Sequence, residues 1–139
     1  MEPALVRSMR LPGRVESVDA VAAELVAVWQ AAPDVSARDR LRVETALVEV
    51  VGNVVEHALV GAPDADLEVR VSVEAAAVVV DVTDPGAPLE VDLAGAVMPP
   101  ADAVGGRGLA LVLAVVDEAV YRRDGAVNHW TLRCERSEP

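Results

Sequence analysis

The chain of 139 residues contains no lysine, no isoleucine and no phenylalanine, and aromatic residues make up only 2% of it. Without lysine it has neither a Walker A phosphate loop nor the lysine-dependent nucleotide site of eukaryotic-type protein kinases. With so few aromatic side chains, its core must be built from Val, Leu and Ala. The missing residue types therefore exclude two common phosphate-binding sites.

Cysteine and histidine are also scarce. Cys134 is the single cysteine, so no intrachain disulfide can form and a reducing compartment is expected. One cysteine with two histidines argues against a zinc site, and neither an HExxH nor a GxSxG motif occurs. Cys134 alternates in phase with Trp130 and Leu132, which predicts a buried structural thiol rather than a redox sensor.

Long apolar runs and an excess of positive charge are missing as well. No stretch is long enough for a transmembrane helix, and the N-terminus does not resemble a secretory signal. The net charge of −11 argues against non-specific binding to DNA, RNA or an anionic membrane. We therefore expect a soluble, cytoplasmic protein without a direct nucleic-acid or membrane partner.

The hydrophobic patterns predict an α+β domain. Ser17 and Ser36 are candidate helix N-caps, and Asp124-Gly125 is the turn of a closing hairpin. The predicted helices cover about 17–31, 37–60 and 108–119, and the predicted strands cover 4–11, 66–75, 77–83 and the two arms of the hairpin. No linker divides the chain, so we predict one domain over 1–139 with its helices on one face of a largely antiparallel sheet.

The stretch EVVGNVVEH, residues 49–57, places a polar line on the second predicted helix. At about 100° per residue, Glu49, Asn53 and His57 follow one another at steps of about 40°. They border an apolar stripe made of Val43, Leu47, Val50, Val51, Val54 and Ala58. One interpretation is a solvated helix flank, with His57 near the negative end of the helix. The other is a site in which Glu49 is a base and Asn53 an oxygen ligand for Mg²⁺.

Two glycine-bearing loops follow. Asp84-Pro85-Gly86 is either an ordinary turn or a carboxylate placed to accept a hydrogen bond from an exocyclic amine, with Gly86 admitting a flat ligand. Gly105-Gly106-Arg107-Gly108 is either a hinge or a phosphate seat at a helix N-terminus, to which Arg107 adds a charged contact. A Rossmann fingerprint is excluded, because the third glycine is missing and a long loop precedes the motif.

In this order and spacing, E-x-x-x-N-x-x-x-H, D-x-G-x-P and GGRGL resemble the N, G1 and G2 boxes of the GHKL ATP-binding superfamily. Within it the chain is most similar to the bacterial anti-sigma regulatory factors of the serine/threonine kinase type. The resemblance spans nearly the whole chain. It implies a two-layer α/β sandwich of the Bergerat type, with a mostly antiparallel sheet, three helices on one face, and a lid loop at about 89–106.

The resemblance also implies a role for each matching residue. Glu49 corresponds to the catalytic base, Asn53 to the ligand of Mg²⁺, and Asp84 to the carboxylate that contacts adenine. Gly86 would lie beneath the base. Four further residues match the boxes. His57 would have a supporting role, and three residues would close on the phosphates: Gly106, Arg107 and Gly108.

The function implied is that of an ATP- and Mg²⁺-dependent anti-sigma factor. Such a protein phosphorylates a serine or threonine of a STAS-type anti-anti-sigma partner and sequesters a sigma factor, and a homodimer is reasonable. The alternative is a catalytically weak or inactive ATP-binding module of the same fold that only sequesters a partner. A detached ATPase domain of a sensor histidine kinase is disfavoured, because no dimerisation or phosphoacceptor helix region is recognisable. The arginines at 7, 10, 14, 38, 40 and 42 are either partner-binding patches or solvated faces.

Overall fold

The computed structural model describes residues 5–62, 64–89 and 107–137. The strands in these ranges are β1 (Leu5–Pro12), β2 (Asp66–Val73), β3 (Ala77–Asp84), β4 (Glu118–Asp124) and β5 (Val127–Glu135). The α-helices are α1 (Glu16–Ala31), α2 (Ala37–Asn53) and α3 (Arg107–Val115). The strands form one sheet in the order β1-β2-β3-β5-β4, and every neighbouring pair is antiparallel. The predicted α+β architecture is therefore confirmed.

The helices cover one face of this sheet. Helix α1 packs on β1, and α2 packs on β3 and β5. Alternate side chains of β3 are buried beneath the helices, ending with Asp84 at the end of the strand. The antiparallel register places Val82 opposite Trp130 and Asp84 opposite Asn128. The same face of β5 carries Asn128 and Trp130, so polar side chains meet at one end of an apolar layer.

The core consists of small and medium aliphatic side chains, as the composition requires. The apolar stripe predicted on α2 is buried along its whole length: Val43, Leu47, Val50, Val51, Val54 and Ala58. Cys134 is buried in phase with Trp130 and Leu132, which confirms the structural role predicted for the thiol. Burial raises the pKa of Cys134 to about 11, so the thiol is protonated at neutral pH.

The two predicted N-caps have different outcomes. Ser36 caps α2, because its hydroxyl accepts a hydrogen bond of 3.1 Å from the Asp39 N–H. The prediction for Ser17 is wrong: α1 begins at Glu16, and the Ser17 hydroxyl donates instead to the Pro12 carbonyl at 2.5 Å. The carbonyl at the end of β1 competes for this hydroxyl, so Ser17 ties strand to helix.

The second predicted helix does not stay α-helical to its end. The α-helix ends at Asn53, and a π-helical turn, Val54–Ala58, follows it. The Leu59 N–H bonds the Val54 carbonyl five residues earlier, at 2.8 Å. The Ala58 carbonyl, at the end of this turn, accepts a hydrogen bond of 2.9 Å from the Ala87 N–H.

The third helix is shorter than the 108–119 predicted from its apolar pattern. Helix α3 ends at Val115, and the Asp117 N–H donates to the Arg133 carbonyl of β5. Glu118 pairs with Arg133 and begins β4. Sheet pairing therefore overrides the helical pattern of these residues. The helices in the described part of the chain are too short or too polar to span a bilayer.

Candidate functional site

A buried carboxylate with one unpaired oxygen lies at the end of β3. Asp84 is only 2% exposed, and its Oδ1 accepts hydrogen bonds from the Gly86 N–H at 2.8 Å and from Asn128 Nδ2 at 3.1 Å. Its Oδ2 is buried and has no partner among the described residues. Leaving a buried acceptor unpaired is costly, so this atom is suited to a donor supplied by a ligand.

The electrostatics of Asp84 reflect opposing effects. Burial raises the pKa of this carboxyl, whereas hydrogen bonds from Asn128 and Gly86 and the positive charge of Arg123 act to lower it. The net result is a pKa above the ordinary value for aspartate. The neighbours therefore limit the effect of burial without cancelling it.

Gly86 lies in a position where the backbone leaves no room for a side chain. A Cβ atom there would lie 2.3 Å from the Ala58 carbonyl oxygen and 2.8 Å from Asp84 Oδ1. The hydrogen bond from Ala87 to Ala58 fastens the same loop to the π-helical turn. The glycine is thus required by close backbone approach, and the loop is held beside Asp84.

Asn128 is a site residue that the sequence analysis missed. Its Nδ2 donates to Asp84 Oδ1 and to the Ala87 carbonyl, the latter at 2.7 Å. Its Oδ1 accepts from the Tyr121 hydroxyl at 2.5 Å and from Arg123 at 3.2 Å. One signal was available: Asn128 is one of only two asparagines and lies in phase with the apolar residues of a strand.

The second group of predicted residues lies on α2. Glu49 and Asn53 are half-buried, one helical turn apart. A Cβ atom on Gly108 would lie 2.8 Å from Glu49 Oε2, so the N-terminal end of α3 lies directly against this carboxylate. Free N–H groups and positive dipole charge at that end make it suitable for an anion. The structure therefore brings Glu49 and Gly108 together.

Along α2 and its π-helical turn, contacts with the two loops lie at opposite ends. Gly108 approaches Glu49 at one end, Gly86 approaches Ala58 at the other, and Asn53 lies between them. At 1.5 Å per residue the nine residues from Glu49 to Ala58 span roughly 13 Å. This separation is suited to an elongated ligand with a flat end and an anionic end.

The remaining predicted residues are less well placed or not described. His57 is exposed in the π-helical turn, so the line at regular α-helical spacing continues only from Glu49 to Asn53. Arg107 is the first residue of α3. Gly106 and the lid predicted at 89–106, apart from Leu89, lie outside the described residues. In the described part of the chain, no three His, Cys, Asp or Glu residues cluster as metal ligands.

The surface also carries grooves on the open face of the sheet, away from the helices. One has a volume of about 520 Å³ and is lined by Arg10, Arg70 and Asp81 among others, but by none of the predicted site residues. A neighbouring groove of about 350 Å³ reaches Asp84 and Pro85 from that side. Because the Asp84 side chain lies on the helix face, we place the candidate site beneath the helices.

Comparisons with known proteins agree with this geometry. The family described as "Histidine kinase-like ATPase domain" matches residues 11–134. None of the curated proteins matches the chain. The solved RsbU and RsbW domains of Rv1364c from Mycobacterium tuberculosis are 22% identical over 99% of this chain, with a TM-score of 0.70. This chain covers only 33% of that one.

A second solved structure has the same fold at a greater distance. The histidine kinase AdeS of Acinetobacter baumannii is 12% identical over 95% of this chain and 68% of its own, with a TM-score of 0.55. At these identities both likenesses concern the fold.

Proposed function

Because the chain belongs to the family of histidine kinase-like ATPase domains, we propose that it binds ATP with Mg²⁺ and acts as a serine/threonine protein kinase and anti-sigma factor. The observation that carries the nucleotide assignment is the unpaired, buried Oδ2 of Asp84 beside the loop at Gly86. An adenine base would supply the missing donor through its exocyclic amine, and the backbone of the loop at Gly86 would lie beside it. The base end of the site is therefore Asp84 and Gly86.

The phosphate end is formed by α2 and α3. The N-terminal end of α3, with Gly108 and Arg107, offers N–H groups and positive charge to the phosphates. Asn53 would hold Mg²⁺ through its amide oxygen, and His57 would support this end. The bound ion supplies neutralisation of the phosphate charge, which phosphoryl transfer requires. The Arg107 side chain and Gly106 would take over part of the task that lysine performs elsewhere.

Glu49 is the group we assign to proton transfer. Its carboxylate takes the proton of a serine or threonine hydroxyl as that oxygen forms a bond to the γ-phosphorus. The bond from this phosphorus to the bridging oxygen breaks, ADP leaves, and the proton passes from Glu49 to solvent. Its position against the N-terminal end of α3, where the phosphates would lie, supports this assignment.

The family and one of the similar solved structures also support the proposed regulatory role. The likeness to the structure of the RsbU and RsbW domains of Rv1364c supports a partner-switching role for this chain. The phosphoacceptor would be a STAS-type anti-anti-sigma protein, and the partner held in its absence would be a sigma factor. We further propose that residues 1–139 form one domain, working in the cytoplasm and able to form a homodimer.

A second candidate function is a binding module without effective phosphotransfer. Such a module would need the nucleotide site but neither base nor metal ligand. Glu49 and Asn53 are both present and half-buried on α2, and this favours the kinase.

The first test is calorimetric titration with ATP and ADP, with and without Mg²⁺. We expect binding that strengthens with Mg²⁺ in the wild type and loses this dependence in Asn53→Ala. Gln30→Ala, which removes an exposed side-chain amide at the end of α1, is the matched control and should bind as the wild type does. Absence of binding at millimolar nucleotide would refute the assignment. Binding without phosphate transfer to a STAS partner would favour the module.

A further inference from the structure

The polar groups around Asp84 form a network in which a single atom is left over. Asn128 uses one amide hydrogen on Asp84 Oδ1 and the other on the Ala87 carbonyl. The Tyr121 hydroxyl donates to Asn128 Oδ1 and accepts from the Leu89 N–H at 2.9 Å. Among these side chains only Asp84 Oδ2 has no partner in the described residues.

The orientation of the Asn128 amide follows from the chemistry of its neighbours. Arg123 can only donate, and it lies 3.2 Å from Oδ1. The Ala87 carbonyl can only accept, and it lies 2.7 Å from Nδ2. The reverse orientation would set acceptor against acceptor and donor against donor. The amide nitrogen therefore faces Asp84.

We propose that Asn128 is the positioning residue of the base-binding site: it holds Asp84 Oδ1 and leaves Oδ2 as a single, fixed acceptor for a purine that carries an exocyclic amine. The inference rests on the proposed function. It assigns the base specificity of the site to the hydrogen bond between Asn128 and Asp84. Tyr121 and Arg123 in turn fix Asn128, and Arg123 also donates to the Gly86 carbonyl at 2.6 Å. The side-chain amide of Asn128 on β5 thus joins β3, β4 and the loop that follows β3.

The same contact acts to lower the pKa of Asp84. The charged group that acts on it from the other strands is Arg123 of β4, while Tyr121 of β4 reaches it only through Asn128. The π-helical turn on its other side carries Glu56 and His57, both exposed. Burial raises the pKa of Asp84 and the Asn128 hydrogen bond opposes this. Removing that bond therefore lets the carboxyl take up a proton at a higher pH.

Protonation changes which base the site accepts. An ionised Oδ2 accepts from the amine of adenine and repels the carbonyl that hypoxanthine carries at the same position. A protonated carboxyl can donate to that carbonyl. We therefore expect the wild type to prefer ADP over IDP by about 100-fold, the order expected for one hydrogen bond to a charged group. This preference should fall at low pH.

The test measures dissociation constants of ADP and IDP by calorimetry between pH 5.5 and 8.5. Asn128→Asp keeps the acceptor for Tyr121 and Arg123 and replaces only the donating nitrogen. In this variant we expect the preference at neutral pH to fall to about tenfold or less, and the pH midpoint of ADP binding to rise by about one unit. Asn128→Ser, which adds no charge, should shift the midpoint in the same direction by less.

Thr131→Val is the matched control, since Thr131 lies on the opposite face of β5 and bonds Asp81 at 3.0 Å. It should change neither the midpoint nor the preference. An equal loss of affinity at every pH with an unchanged preference, in both Asn128 variants, would show a merely structural role and overturn the proposal. So would wild-type values in both.

The direct titration of the Asp84 carboxyl carbon by NMR separates this inference from the proposed function. A wild type that binds neither nucleotide would refute the function. A pKa of Asp84 that rises in Asn128→Ser would still support the hold of Asn128 on Asp84. An unchanged pKa would overturn it.

Discussion

At the scale of single residues, position 86 requires glycine because neighbouring atoms fill the space of a side chain. Its own backbone conformation does not require glycine. In Gly86→Ala the new Cβ would meet the Ala58 carbonyl oxygen, a backbone atom that cannot move away without opening the π-helical turn. We expect a loss of about 1–3 kcal/mol in the free energy of unfolding, together with loss of nucleotide binding. Urea denaturation and calorimetry measure the two effects.

The control for this substitution is another glycine. In Gly52→Ala, within α2, the new Cβ has no atom within 4 Å, so the change should stabilise the protein by about 0.5–1 kcal/mol. Equal effects of the two alanines would show that the close approach at Gly86 does not exist.

Glu49 carries a second prediction at this scale. Glu49→Gln keeps the size and the contact with Gly108 but cannot take a proton, so phosphate transfer should fall by about 10²–10⁴-fold. The affinity for ADP should stay within a few-fold of the wild type. Glu44→Gln on the same helix is the control. A variant that transfers phosphate at the wild-type rate would remove Glu49 from the chemistry.

At the scale of elements, the packing of α3 on α2 depends on Arg42 at one end and the Glu49–Gly108 contact at the other. Arg42 donates to the Val115 carbonyl at the end of α3 at 2.7 Å, to Asp117 at 2.9 Å and to Asp39 at 3.1 Å. Glu49 follows Arg42 by seven positions, and Val115 follows Gly108 by seven positions. The two antiparallel helices are therefore matched in length between their contacts.

Removing the guanidinium should loosen both helices. We expect Arg42→Ala to lower the free energy of unfolding by about 2–4 kcal/mol, because it leaves the buried carboxylate of Asp39 without its cation. Arg38→Ala, an exposed arginine one turn earlier, should cost no more than about 0.5 kcal/mol. Urea midpoints at pH 7 measure both. A small effect of Arg42→Ala would contradict the docking role.

The same cluster predicts a pH dependence. Burial acts to raise the pKa of Asp39, but hydrogen bonds from Ser137, Ser36 and Arg42 outweigh it, and the pKa lies below its ordinary value. Its stabilising contribution is therefore present above the unfolded pKa of about 3.9 and is lost as the pH falls through the folded pKa. Urea midpoints of wild type and Arg42→Ala should converge toward pH 3. An unchanged gap would show that Arg42 acts independently of Asp39.

The sequence predicted an element correctly where the signals for it lie within the segment itself, and not where the structure depends on a distant strand. Helix α2 and its buried stripe were correctly predicted, because amphipathic spacing and the Ser36 cap lie within the segment itself. The predicted end of α3 was wrong, because Asp117 and Glu118 pair with Arg133 of β5 although their local apolar pattern is helical. Asn128 was missed for the same reason. Only the register of β3 with β5 places it beside Asp84, and no local pattern encodes that register.

At the scale of the whole molecule, the β3–β5 ladder separates the candidate site from the stabilising cluster. Asp84 pairs with Asn128 at one end of this ladder, and Ala77 pairs with Glu135 at the other. At this second end, Arg42 donates a hydrogen bond to the Glu135 carbonyl at 3.0 Å. Seven residues of extended chain measure roughly 23 Å. Nucleotide chemistry and helix docking can therefore be altered separately, although both depend on the same sheet.

Cys134 reports on that sheet, since β5 is paired on both sides, with β3 and with β4. The thiol is buried and its raised pKa of about 11 leaves little thiolate at pH 8. Alkylation should therefore proceed only from molecules in which the sheet has opened. A ligand that binds only the folded state should slow alkylation by the factor one plus its concentration over its dissociation constant, about 100-fold at 100 times that constant.

The measurement is the rate of iodoacetamide labelling with and without Mg²⁺-ATP, with Cys134→Ala as the unlabelled blank. We expect labelling to slow in proportion to nucleotide occupancy in the wild type and to be insensitive to ATP in a variant that does not bind it. If ATP binds by calorimetry but leaves the labelling rate unchanged, β5 opens without disturbing the site. The contact between Asn128 and Asp84 would then not join nucleotide binding to the stability of the sheet, because β5 carries both Asn128 and Cys134.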